Sequence, residues 1–416
     1  MLLLYRIIIN LVLIISPLIL IPRIINKKET LKSFFEKIGN IRKKRVSKGK
    51  LIWIHGSSVG EILGAVPLIE KLEKRKDIGQ ILITSNTVSS SKVVEGLRLN
   101  KIIHQFFPID TNILSKKFLN YWKPNLAIFI ESEIWPNMVL EINRQKIPLI
   151  LLNARFTKKT FKRWSSIKIF SKRIISKFDL CLPQNNETNI YLKKLGAYKI
   201  KKAGNLKFCE PKISINKNNK IFSKNFLNQK KILFCAVSTH YNEENFCAKI
   251  HSESKKIFNN ISTIIIPRHV NRSFEIKNNL EKIGLNVQLH SLSSNINSNT
   301  DVYLVDTYGE TKKFLNLCNI AFLGGSLVDY KGHNPMEAAR LGLKVIHGKY
   351  ISNHLESYEI LKKIKISKKI NNVREALNFI KASTKNKSNS KKARRKLIKI
   401  GKIILSNNFK ETCKYI

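Results

Sequence analysis

Acidic residues are scarce in this chain: 28 Asp and Glu stand against 76 Lys and Arg, a formal net charge of +48 over 416 residues. So cationic a surface invites a nucleic-acid or an anionic-membrane reading. The lysines, however, are spread over the whole chain together with abundant Asn and Ile, a global bias and not a patch. Basic residues interleaved with aromatics along one face are missing. No specific nucleic-acid partner follows, and an anionic membrane surface fits the charge better. Cysteine is sparse too. Cys181, Cys209, Cys235, Cys247, Cys318 and Cys413 form no C-x-x-C pair, and several sit inside apolar runs. That pattern excludes a disulfide framework or zinc site and reads as buried, reduced thiols. The absence of H-x-x-x-H, D-x-D and Cys/His clusters leaves no motif for a bound metal, and no cofactor is implied. No short-period repeat is present.

What is there fits two α/β domains. The length exceeds one ordinary core, and a hydrophobic content of 43% supports more than one. Residues 2–22 are apolar except for Arg6, Asn10 and a few small residues, long enough for a helix across the hydrocarbon layer. A small-x-small cleavage site is lacking, and Arg23, Lys27 and Lys28 follow. A single uncleaved anchor holding a cytoplasmic body is expected, in preference to a cleaved signal peptide.

Strand and helix signals then alternate, as in folds with parallel sheets. Strand-like runs are Leu51–Ile54, Ile81–Thr84, Leu126–Ile130, Leu149–Leu152 and Asp179–Leu182, with helical patterns such as Ile62–Lys74 and Asn137–Arg144 between them. A polar stretch at 208–230 reads as a linker. The alternation restarts at Lys231–Val237 and continues through Ser262–Ile266, Val302–Val305, Ile320–Leu323 and Lys344–Ile346, before a basic helix or tail at 381–416. Two Rossmann-like halves are predicted, with ligands at the carboxyl ends of the strands and a cleft that both halves face.

Polar clusters sit at those strand ends. His55, Ser57, Ser58, Gly60 and Glu61 follow the first strand; Glu61 is either a first-turn acid favouring the helix dipole or a general base. A helix N-terminus lowers a carboxylate's pKa, so a base here needs opposing burial. Glu131, Ser132 and Glu133 follow Leu126–Ile130 and either cap the next helix or position charge at a reacting centre. Asn153, Arg155 and Lys207 end strands or precede loops; they are solvated side chains or hold an anionic ligand group. In the second half the clusters are Ser238-Thr239-His240, Pro267-Arg268-His269, Asp306-Thr307-Tyr308-Gly309-Glu310, Gly324-Gly325-Ser326 and Gly332-His333-Asn334-Pro335-Met336-Glu337. Arg268 and the glycine backbones suit a phosphate, and Glu337 suits ribose hydroxyls.

In these same ordered motifs the chain resembles the 3-deoxy-D-manno-octulosonic acid (Kdo) transferases of Gram-negative bacteria. The matching stretches include Trp53-Ile54-His55, Ser58-Val59-Gly60-Glu61, Glu131 to Asn137, Asn153-Ala154-Arg155, Gly204 to Lys207, Ser238-Thr239-His240, Glu243-Glu244, Pro267-Arg268-His269, Asp306-Thr307 and Gly324 to Glu337. The resemblance implies a GT-B glycosyltransferase: an anchor at 1–25, an acceptor-binding domain at 30–207 and a nucleotide-sugar-binding domain at 231–380. It implies metal-independent, inverting transfer of Kdo from CMP-Kdo to a lipid A precursor, lipid IVA, at the cytoplasmic face of the inner membrane, in lipopolysaccharide core synthesis. By the same carry-over Glu61 is the proton acceptor, and Glu131 and Lys207 stabilise the transition state. Pro267, Arg268, Tyr308, Gly309, Glu310, Asn334, Pro335, Met336 and Glu337 line the CMP site. His55, Ser58, Gly60, Arg155, Ser238, His240, Gly325, Ser326 and His333 complete the candidates. Three positions depart from the pattern: Lys331 stands where a glycine is usual, Tyr241-Asn242 replaces another, and Asn353-His354 replaces an Asn-Phe pair. Two alternatives remain open: a transferase of another nucleotide sugar on the same scaffold, and a non-enzymatic basic protein binding lipid or nucleic acid.

Overall fold

Short runs of branched aliphatic residues become strands buried on both faces, as parallel sheets require; Leu126–Ile130 is buried at every position. The computed structural model describes residues 1–26, 28–46, 48–209, 232–292, 296–297, 299–385 and 387–416, without the side chains of 385–393. The expected linker lies, from residue 210 on, outside the described residues. The chain divides into two units, one of Met1–Ser214 with Ile400–Ile416, the other of Ile215–Lys399.

The first unit holds β1 (Lys50–His55), β2 (Ile78–Ser85), β3 (Ile102–Phe106), β4 (Leu126–Ile130), β5 (Leu149–Ala154) and β6 (Leu180–Pro183). They form one parallel sheet in the order β3-β2-β1-β4-β5-β6. The helices are α1 (Leu2–Ile25), α2 (Leu31–Lys37), α3 (Val59–Glu73), α4 (Val88–Glu95), α5 (Asn112–Trp122), α6 (Pro136–Arg144), α7 (Lys158–Ser165), α8 (Lys168–Ile175) and α9 (Asn186–Lys194). Side chains of Ser58, Thr87, Thr111, Thr157 and Asn185 cap five of them by accepting a backbone N–H three residues on. Pro136 occupies the first turn of α6, where its missing N–H costs nothing. One core cluster gathers Trp53, Phe118, Trp122 and Phe129; another gathers Ile54, Ile62, Leu68 and Ile83. The switch in strand order falls between β1 and β4, the position at which doubly wound sheets open a crevice.

The second unit begins with β7 (Ile232–Thr239), followed by α10 (Glu243–Lys255), β8 (Ile261–Pro267), α11 (Ser273–Glu281), β9 (Val287–Leu289), β10 (Val302–Leu304), α12 (Thr311–Leu315), β11 (Ile320–Leu323), α13 (Met336–Arg340), β12 (Lys344–His347), α14 (Leu355–Lys363), β13 (Ser367–Lys369) and α15 (Val373–Lys385). Its seven parallel strands run β13-β12-β11-β7-β8-β10-β9, with the switch between β7 and β11. Three strands were not expected: β3, β9 and β13. The last two are three residues long, and β3 carries His104 and Gln105 among its five. All three lie at or beside a sheet edge, where the apolar signal weakens.

A final helix, α16 (Lys387–Cys413), brings its last part onto the first unit. Ile404, Leu405 and Phe409 pack on the cluster around Ile62, and Asn408 donates to the carbonyls of Ala203 (3.2 Å) and Ile404 (2.9 Å). All six cysteines are free thiols, five of them buried.

Candidate active site

β1 ends at His55, the chain turns through Gly56 and Ser57, and α3 starts at Val59. Glu61 therefore sits in the first turn of α3, at the switch of the first sheet. Its Oε2 accepts the Ser57 N–H at 2.7 Å and its Oε1 accepts the Ser58 hydroxyl at 2.9 Å, while the Glu61 N–H points back to Ser58 Oγ at 3.4 Å. Glu61 does occupy the helix-dipole position weighed for it, in the first turn of α3. That position does not keep the carboxylate ordinary: burial, with the Glu133 charge second and Glu131 adding to it, pushes the Glu61 pKa up to about 7, against the pull of the two donors. Burial thus overcomes the helix-end effect. A Cβ at Gly60 would meet nothing within 4 Å, so the α3 start is open there.

Glu133 comes from the turn after β4. Its Oε2 lies 3.2 Å from His55 Nε2 and 2.9 Å from the donating Trp135 Nε1, and it also accepts the Ser57 hydroxyl. Burial works against this carboxylate, but those donors together hold its pKa below the usual value. His55 is fully buried, stacked on Phe107 at 4.0 Å, with Nδ1 3.0 Å from Thr84 Oγ1. Ser57 is the hinge of the cluster, touching Glu61 through its backbone and Glu133 through its hydroxyl.

Glu131 is buried and ion-paired to Lys207, which arrives on a short turn after Asn205. Its backbone is left-handed (φ 58°), as is that of Asn153 (φ 51°), whose side chain accepts the Leu206 N–H at 3.0 Å. Such angles in residues other than glycine cost energy and concentrate where a side chain must be aimed. Arg155 reaches this group through its backbone, donating to the Glu131 carbonyl at 3.2 Å. Its guanidinium has no ion-pair partner among the described residues.

In the second unit, β7 ends in Ser238, again left-handed (φ 55°), then Thr239 and His240. His240 Nε2 lies 3.1 Å from His333 Nε2, and its ring stacks on Tyr330 at 3.9 Å. Burial, followed by the fields of His333, His269 and Arg268, pushes the His240 pKa down to about 4. His333 is likewise lowered, by burial and then by Arg268. Two neutral imidazoles beside an exposed Arg268, which has no ion-pair partner among the described residues, make this a place where an anion is welcome. Arg272 is by contrast occupied, 3.2 Å from Glu244 and 3.5 Å from Glu275.

The glycine loop is organised by a residue that was not among the candidates. Glu243, nearly fully buried, accepts the N–H groups of Gly325 (2.7 Å), Ser326 (3.0 Å), Leu327 (3.0 Å) and His240 (3.0 Å). The amides expected to meet a phosphate at Gly325 and Ser326 are therefore already filled by a carboxylate. An acid pair, Glu243-Glu244, at a helix start in so acid-poor a chain was the available signal. Nearby, the Asn334 side chain accepts the Met336 N–H at 3.1 Å just before α13, and Tyr358 donates to the His333 carbonyl at 2.9 Å. Pro267, Pro335 and Met336 have buried side chains, whereas Asn334 and Glu337 are exposed. Tyr308, Gly309 and Glu310 follow β10; Tyr308 is exposed and Glu310 pairs with Lys313 at 2.6 Å. No hydrogen bond among the described residues ties these three to the His240–His333 pair.

Comparison with known proteins decides the family. The profile described as "3-Deoxy-D-manno-octulosonic-acid transferase (kdotransferase)" matches residues 32–210. The 3-deoxy-D-manno-octulosonic acid transferase of Rickettsia bellii is 34% identical over 363 residues, covering 87% of this chain and 86% of its own length. The chain belongs to this family. Among the other Kdo transferases, that of Rickettsia felis is 36% identical over 307 residues, covering 74% of this chain and 65% of its own length. A putative UDP-N-acetylglucosamine 2-epimerase from Listeria monocytogenes is similar in fold, with a TM-score of 0.58 at 12% identity over 83% of this chain and 91% of its own. The architecture is thus of the GT-B type, two Rossmann-like units, in a family of glycosyltransferases.

Within that family frame the departures acquire a physical meaning. Lys331 (φ 64°) and Asn242 (φ 71°) both sit in the left-handed region, where glycine is strain-free and asparagine tolerable. Both places therefore take a backbone that glycine adopts freely, at a strain cost that is greater for the lysine.

Proposed function

We propose that this Kdo transferase moves Kdo from CMP-Kdo to a lipid A precursor, lipid IVA, with inversion at the anomeric carbon and Glu61 as the general base. The observation that carries the reading is the Glu61 carboxylate: fixed by Ser57 and Ser58, open on the Gly60 side, and with its pKa pushed up to about 7. A base with that pKa is about half ionised at neutral pH and still strong enough to take a proton as a hydroxyl attacks.

In the proposed step the acceptor hydroxyl oxygen bonds to the anomeric carbon of Kdo, its proton passes to Glu61, and the bond from that carbon to the phosphate oxygen breaks. CMP departs with the electron pair. Arg268, beside neutral His240 and His333, would stabilise the charge gained by the leaving phosphate. Glu131 would favour the oxocarbenium-like centre, and Lys207 limits how far its charge weighs on Glu61. Donor and acceptor must come together for transfer, which is a requirement of the chemistry itself. The family match, the apolar α1 and the net charge of +48 support a lipid acceptor at the cytoplasmic face of the inner membrane.

The test is direct: purified full-length protein, CMP-Kdo and lipid IVA, with the product read by mass. Gain of Kdo mass on lipid IVA supports the reading and counts the sugars. Transfer from a UDP-hexose but not from CMP-Kdo would replace it with the other-nucleotide-sugar alternative.

A further inference from the structure

The apolar α1 is expected from sequence to cross a membrane, but its contacts within the first unit do not fit a crossing. Near its N-terminus, Tyr5 donates to Asp110 Oδ2 at 2.7 Å and Arg6 donates through Nε to Asn137 Oδ1 at 3.0 Å. Leu2 packs on the core cluster around Trp122, and the Tyr5 ring lies 6.4 Å from that of Phe170. Asp110 is itself fixed in the fold, fully buried and accepting the Asn137 and Met138 N–H groups at the start of α6. At the other end Arg23 lies 3.7 Å from buried Glu29, which accepts from Ser33 and Lys37 of α2. Tyr5 and Arg23 are separated by about 27 Å of helix axis, close to the ~30 Å hydrocarbon layer. A spanning helix would put them on opposite sides of the bilayer, yet both are bonded to one folded unit.

The burial pattern agrees along the whole length. Shielded positions recur every three or four residues, from Leu2 through Ile9, Leu13 and Ser16 to Leu20 and Ile24. Tyr5, Arg6, Asn10 and Ser16 all share that shielded arc. The opposite arc is purely apolar and open: Leu3, Ile7, Leu11, Ile14 and Leu18 are 73%, 58%, 54%, 74% and 75% exposed. A helix that crossed lipid alone would have no reason to segregate its few polar groups onto one side.

We propose that α1 is an in-plane anchor: it lies along the first unit with its apolar arc sunk into one leaflet of an anionic bilayer, and does not cross it. Lipid is the occupant because the open arc carries no polar group while the chain as a whole carries +48, which draws it to anionic headgroups. The arrangement also ties the anchor to the candidate site. Arg6 holds Asn137, two residues after Trp135, whose indole donates to Glu133 at 2.9 Å. The leaflet that would supply a lipid acceptor is thereby held to the segment that builds the Glu61 cluster. The proposal rests on the membrane-lipid reading for its choice of occupant.

Its test uses the full chain carrying a protease-cleavable peptide before Met1, synthesised in the presence of sealed phosphatidylethanolamine–phosphatidylglycerol vesicles. The in-plane anchor predicts that the protein sediments with the vesicles through a high-salt wash. It also predicts that external protease removes the peptide as fast without detergent as with it, and that a Leu11→Asp/Leu18→Asp variant loses at least tenfold in vesicle binding. A peptide protected until detergent is added would overturn the in-plane placement and leave the membrane reading standing. Failure to sediment at all would sink the membrane reading, and the anchor with it. A stable vesicle-free dimer that Leu11→Asp/Leu18→Asp dissolves would give the apolar arc to a second copy and overturn the proposal.

Discussion

Glu61, Glu131 and Glu133 are three carboxylates gathered past the ends of the neighbouring strands β1 and β4, and the protein treats each differently. Glu131 has a cation, Lys207; Glu133 has N–H and O–H donors; Glu61 has two donors, but burial and the other two charges outweigh them. A base must be ionised to act. With its pKa near 7, kcat/KM should fall about tenfold for each pH unit below 7 and level off above it, measured between pH 5 and 8.5. Lys207→Met leaves the Glu131 charge unbalanced next to Glu61, so the acid limb should move to higher pH. Adding Glu131→Gln should bring the limb back, which loss of folding could not do. The candidates themselves were legible because acids are rare here and these follow strand-like runs directly. Their electrostatic ranking was not, since it depends on which donors and cations the fold brings together from the end of β1, from the turn at Lys207 and from Trp135. A helix-dipole argument alone gives Glu61 the opposite shift.

At the level of elements, the two glycine turns behave oppositely. A Cβ at Gly324 would run into the Ser238 carbonyl where β11 passes the end of β7, and neither backbone can step aside cheaply. Gly324→Ala should cost several kcal/mol of stability, seen as a lower Tm of the second unit, and weaken CMP binding with it. Gly60, in the first turn of α3 and facing open space, should accept alanine with a stability change within about 0.5–1 kcal/mol. Its transferase activity should nonetheless fall if an acceptor passes over it, a dissociation visible by pairing thermal unfolding with the assay. The central strands β1, β4, β7, β8 and β11 were plain in the sequence because both their faces are buried. β3, β9 and β13 were not, being short or polar at the sheet margin. Glu243 was hidden for a different reason: four amides from two loops converge on it, and only the fold makes them neighbours.

For the whole molecule, chain order and packing order differ. Residues 400–416 come last, after the second unit, yet belong to the first. Gly401 runs against the Phe208 and Cys209 backbone, and Ile404, Leu405 and Phe409 cover the cluster around Ile62. Deleting 400–416 should therefore lower the unfolding temperature of the first unit by several degrees while leaving that of the second nearly unchanged, as separate calorimetric transitions can show. Composition announced a basic tail, but nothing in its lysine-rich pattern names the surface it covers.

Glu61 taking the acceptor's proton is the decisive step, and it is tested by comparing Glu61→Gln with the wild type, with Kdo transfer and CMP binding measured on the same preparations. Glutamine keeps the size and can still accept from Ser57 N–H, so CMP affinity should stay within about twofold while transfer drops by ~10²–10⁴. Transfer within tenfold of wild type in that variant, with CMP binding intact, would contradict the account.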